Sequence, residues 1–203
     1  MISFSRAPAA LGTWLLVSTS SASVFAQDLA AAVAAPEQSV FFMGGPFTPS
    51  NFGETFSIWD NQYEENFFVG VGYQHFLYSY GSFRLGVEAG IGLRAGENGS
   101  AEVWGGTVAQ LTNFDIGALN ITPSIIFGLS AVTDYVGVEA DRVAALGHPA
   151  PVLFYFTPEI AISSDTNPEW EAFVRIQHRS GGFGTIAEID ASNAPVVGFR
   201  YRF

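Results

Sequence analysis

His178 and Ser180 stand two positions apart near the end of the chain, and Asn193 follows a short loop later. A serine hydroxyl is a weak nucleophile until a base takes its proton, and a third group must hold that base in the right tautomer. Ser180 is the candidate nucleophile, His178 the candidate base, and Asn193 the candidate acceptor for a hydrogen bond from Nδ1. An amide can fill the third place, as it does in cysteine proteases that pair histidine with asparagine. Gly181 and Gly182 come directly after the serine, and their unhindered N–H groups are candidates to hold a developing oxyanion. Such a set would attack an ester carbonyl and pass the acyl group to water or to another alcohol. Hydrolysis and transfer are not separated by the residues alone.

The elements that must position these groups read as strands. Successive strand side chains point to opposite faces. In 168–180, Trp170, Ala172, Val174 and Ile176 share a face with His178 and Ser180, while Glu171, Arg175, Gln177 and Arg179 take the other. In 193–203, Asn193 shares a face with Pro195, Val197, Phe199, Tyr201 and Phe203, against Arg200 and Arg202. His178 and Ser180 then lie about 7 Å apart along one strand, close enough for the imidazole to reach the hydroxyl. The reacting groups are on the apolar face.

The same alternation runs through 67–77, 83–94, 119–131 and 152–163. Adding 39–46 and 99–111 gives eight candidate strands. Gly81-Ser82, the run 96–99 and the run 165–168 supply turns, and longer connections fall at 47–65, 134–150 and 181–192. The middle connection has room for one or two helical turns around 141–147. A soluble sandwich would also alternate. The strands, however, are long enough for a tilted membrane crossing. Their polar face mixes glycine with Arg84, Glu88, Arg94, Glu102, Glu159, Glu171 and Arg175, as a narrow lumen filled by ion pairs would. The predicted fold is therefore all-β, an eight-stranded antiparallel transmembrane barrel. The closing run Phe199-Arg200-Tyr201-Arg202-Phe203 resembles the final strand of bacterial outer-membrane barrels. With both termini in the periplasm, His178, Ser180 and Asn193 fall at outer-leaflet depth, facing lipid.

The bulk properties agree with one domain. The chain has 203 residues, no cysteine and a formal charge of −11. Without cysteine there is no disulfide framework and no thiolate nucleophile. The acidic balance excludes nucleic acid as a partner, since phosphate binding needs a basic surface. Arg6, the apolar stretch 9–24 and the small-residue site Val24-Phe25-Ala26 predict a signal peptide over 1–26, leaving 27–203 as the barrel domain. His75 and His148 lack neighbours at metal-ligand spacing, so no metal or other cofactor is expected. Acidic loops could bind cations that bridge lipid phosphates, although no calcium-loop spacing is present.

A His-x-Ser run near the end of an eight-stranded barrel, followed by a final strand ending in an aromatic, resembles the lipid A 3-O-deacylase (PagL-type acyloxyacyl hydrolase) family. The match covers His178-Arg179-Ser180 and 193–203, with Glu88 and Glu102-Val103-Trp104 as looser echoes. The resemblance implies an outer-membrane serine esterase that removes the ester-linked acyl chain at position 3 of lipid A, with its site on the lipid-facing exterior. It implies His178 as base and Ser180 as nucleophile. The family's third member is a glutamate where this chain has Asn193, so Glu188 or Asp190 could supply a carboxylate from the loop. The residue after the serine is commonly Asn in the family and is Gly181 here. The expected partners are lipopolysaccharide as substrate and outer-membrane lipids, and a homodimer stays open. A different class also stays open: a non-catalytic barrel whose structural or adhesive role lives in loops 47–65 and 134–150, which carry Phe52, Phe56, Trp59 and Tyr63.

Overall fold

Alternation of apolar and polar residues becomes a closed antiparallel wall. The structure, a computed structural model, describes residues 37–203 except 97 and 113; the expected signal segment 1–26 lies outside the described residues. The strands are β1 Glu37–Pro46, β2 Phe67–Tyr80, β3 Phe83–Ala95, β4 Ser100–Leu111, β5 Phe114–Ile116, β6 Leu119–Val132, β7 Val152–Ser164, β8 Asn167–Ser180 and β9 Asp190–Arg202. Each pairs with the next in sequence except β4 with β5, β1 pairs with β9, and β4 pairs with β6, which closes the ring. Eight strands make the barrel. The ninth, β5, was not expected from the sequence; it is a three-residue piece that extends the β4–β6 turn by pairing with the start of β6.

The outer face carries side chains such as Val71, Ile91, Phe127, Val174 and Phe199, all about half exposed. An apolar belt of this kind, around a ring with no free edge, is what a bilayer tolerates, because every backbone polar group is satisfied within the wall. The protein is a transmembrane β-barrel of the outer-membrane type. Its lumen is packed, not hollow. Arg175 donates to Glu159 at 2.8 Å and to Glu88 at 2.8 Å, and Arg200 bridges Glu159 and Glu171, both at 2.8 Å. These large groups project mostly from β7, β8 and β9. The wall opposite supplies glycine: a Cβ on Gly90 would lie 2.2 Å from the Trp104 ring, so no larger residue fits while Trp104 stays.

Short turns close one end of the barrel, and the connections 47–66, 133–151 and 181–189 crowd the other. Long connections in such barrels are the extracellular ones. The middle one forms α1, Val138–Leu146, which ends on Gly147 in the left-handed conformation with φ 81°. Its Glu139 is fully buried and ion-pairs with both Arg94 and Arg179 from the wall. The helix is thus pinned into the barrel mouth. The last connection is shorter than expected, because β9 begins at Asp190 and not at 193.

Candidate active site

His178 and Asn193 sit directly opposite each other on β8 and β9, and Ser180 pairs with Asp190 at the rim. The register slips between Arg179 and Ser180 because β9 carries an extra residue there. Ala191 turns inward, packing with Ala150, Leu153 and Ala187 at the mouth. Asp190 thereby reaches the side of the wall that His178 and Asn193 occupy. Simple alternation from Asn193 would have sent it into the lumen. The slip lies above His178, so His178 and Ser180 stay on the outer face as the spacing predicts.

The outer face at this point is not bare to lipid. The β1–β2 connection bends over it, held by a Thr48 N–H to Asn193 O hydrogen bond of 2.9 Å and a Phe52 N–H to Asp190 Oδ2 bond of 3.0 Å. Phe52 lies on the His178 ring with centroids 4.4 Å apart and meets Phe156 edge-on at 5.5 Å. His178 is 6% exposed and Asn193 fully buried. The expectation of lipid-facing groups is corrected in this respect: they are on the exterior, under a roof. Phe52 was assigned to a loop by sequence, and no local pattern signals a contact made across the barrel rim.

Hydrogen bonding fixes the tautomer of the base. Asn193 Nδ2 donates to the Ser50 carbonyl at 2.9 Å and to Asp190 Oδ1 at 3.0 Å. Both partners only accept, so the NH₂ group must face them and Oδ1 must face His178. Oδ1 lies 2.7 Å from His178 Nδ1, which therefore carries the hydrogen. Nε2 is left with its lone pair free, the form a general base requires. Asp190 Oδ1 lies 3.7 Å from the same Nδ1. Glu188, the other candidate carboxylate, lines the groove without a hydrogen bond to the imidazole among the described residues.

Ser180 is half-buried and opens into a groove of about 930 Å³ on the outer wall, floored by Phe127, Phe154 and Phe156 and flanked by Asn51 and Thr185. His178 lines the same groove. Below it on the same wall, a second groove of about 570 Å³ runs over Ile125, Ile160 and Ile176 and under Phe56, Ile58 and Tyr63. Of the two glycines, Gly181 is not free to bind an oxyanion: its N–H donates to the Ile189 carbonyl at 2.8 Å. Gly182, at φ 63°, makes the tight turn above Phe154. Phe183 follows at φ 54°, fully exposed at the lip of the groove. His75 on β2 and His148 after α1 line neither groove. Among the described residues no cluster of three metal-binding side chains occurs.

Solved structures of like fold include outer-membrane barrels. The outer membrane enzyme PagL superposes with a TM-score of 0.54 at 14% identity, over 80% of this chain and 98% of that one. Neisserial surface protein A does so with a TM-score of 0.50 at 10% identity, over 84% and 99%. At such identities the likeness is one of fold. No family model and no curated protein sequence matches the chain.

Proposed function

We propose that the protein is a serine esterase of the bacterial outer membrane that removes an ester-linked acyl chain, the 3-O chain by the family resemblance, from lipid A in the outer leaflet. The observation that carries this reading is the locked Nδ1–H tautomer of His178 at an apolar groove on the outside of the barrel that Ser180 also lines. An acyl chain is the ligand that such a groove suits, and a lipid can enter it sideways from the leaflet. Ser180 Oγ attacks the ester carbonyl while His178 Nε2 takes the hydroxyl proton. The imidazolium then gives that proton to the departing sugar oxygen, leaving an acyl-serine. Water attacks this ester with His178 again as base, and a free fatty acid leaves. The fold likeness to an outer membrane enzyme is consistent with this chemistry.

A second reading is a non-catalytic barrel that binds a partner through its loops. The 91% exposure of Trp59 on the β1–β2 connection favours it. Mass spectrometry of lipid A from a Gram-negative host separates the two. Expression of the wild type should remove one hydroxyacyl mass, and Ser180→Ala, inserted to the same level, should leave lipid A unchanged. Identical spectra for both inserted proteins would sink the esterase and leave the adhesive reading.

A further inference from the structure

Asn193 orients His178 but brings no charge to balance the imidazolium formed in each half-reaction. The carboxylate that could do so is one hydrogen bond further out. Asp190 Oδ1 accepts from Asn193 Nδ2 at 3.0 Å and stands 3.7 Å from His178 Nδ1. It arrives there only because of the slip in β9. Its position is held from outside the strand pair. Arg142, on α1, donates to the Asp190 carbonyl at 2.8 Å, to the Ala191 carbonyl at 3.3 Å and to the Pro49 carbonyl at 2.7 Å. Its Nη1 also lies 3.9 Å from Asp190 Oδ1. One guanidinium thus ties the mouth helix, the start of β9 and the roofing connection together around this carboxylate.

We propose that Asp190 is a positioning residue that steadies the His178 imidazolium through Asn193, and that Arg142 holds Asp190 in place for it. The proposal rests on the esterase reading. A carboxylate near a partly desolvated imidazolium interacts far more strongly than it would in water, so its loss raises the cost of forming the imidazolium even while Asn193 still holds the tautomer.

The test is steady-state hydrolysis of purified lipid A in detergent micelles by the full-length barrel, with Ser180→Ala as blank. Asp190→Asn should lower kcat by about 10²-fold with KM within about twofold, less than the loss seen when a directly bonded carboxylate is removed. Asp190→Asn combined with Asn193→Asp moves the carboxylate onto Nδ1 and should raise kcat at least about tenfold above the single variant. A merely structural Asp190 predicts the opposite order, because the double variant carries the same weakened side-chain contacts to Phe52 and Arg142 and also loses the Asn193 hydrogen bond to the Ser50 carbonyl. Unchanged kcat in Asp190→Asn, or a double variant slower than the single, overturns the proposal while wild type still exceeds the blank. A wild type no faster than Ser180→Ala defeats the esterase reading, and the role of Asp190 falls with it.

Discussion

Phe183 has a conformation that few residues with a Cβ adopt, and its ring touches nothing that would repay it: φ is 54° and the side chain is fully exposed. The left-handed region costs a residue with a Cβ about 1–2 kcal/mol relative to glycine. On the esterase reading, a ring held at that cost on the lip of the site groove would enter the leaflet beside an incoming lipid. Phe183→Gly should therefore leave the thermal midpoint unchanged or raised, lower turnover of lipid A in vesicles several-fold, and leave a short water-soluble ester unaffected; equal loss on both substrates would mean that the ring shapes the site itself. The side of the wall taken by His178, Ser180 and Asn193 was legible at this scale, because period-two alternation fixes which face a strand residue takes. Asp190 was legible only as a loop acid, since a slip of one residue in β9 leaves no mark in the local pattern. Gly181 was misjudged because its N–H is taken by Ile189, a partner across the loop.

Among the elements, the strands were the readable part. The run 83–94 alternates throughout and 119–131 does so but for the inward, buried Ile126, and the large apolar residues on the other face coincide with the exposed outer face. Helix α1 was half-readable: the expectation was one or two turns around 141–147, and the structure gives Val138–Leu146. Its docking was not readable, because Glu139 finds its arginines on β3 and β8, far away in sequence. That docking sets the geometry around the site, since Arg142 leaves the same helix. Glu139→Gln strips one carboxylate from two buried arginines, a change that costs about 3–5 kcal/mol when a buried pair loses a partner. The expected result is a lower urea midpoint for loss of the compact barrel band in gels, with insertion retained. The β1–β2 connection is ordered by its own polar groups, with Asn51 and Glu54 bonding each other's backbone at 3.0 Å. Short-range polar residues usually read as plain loop, so its role as a roof was hidden.

At the scale of the molecule, charge is distributed very unevenly. The chain holds no lysine, and its arginines are mostly spent inside the wall. Among the described residues of the three long connections, the basic side chains are Arg142 and His148, and both Nη atoms of Arg142 serve carbonyls. Acids such as Glu54, Asp60, Glu188 and Asp190 face the same side. A phosphorylated lipid meets repulsion there, which screening weakens, since the Debye length falls from about 10 Å at 0.1 M to about 3 Å at 1 M salt. Turnover of lipid A should accordingly rise with ionic strength or added Mg²⁺ and fall on chelation, whereas a lipid lacking phosphate should show no such dependence. The filled lumen has a consequence of another kind. Arg94, Glu102, Glu139 and Arg179 near the mouth and Glu88, Glu159, Arg175 and Arg200 below them occupy the axis in two tiers, each charge already neutralised by its neighbour. A hydrated ion would have to displace both tiers to pass. In electrical language the protein is an insulator: a cell can crowd its outer surface with copies without adding a single leak to the permeability barrier.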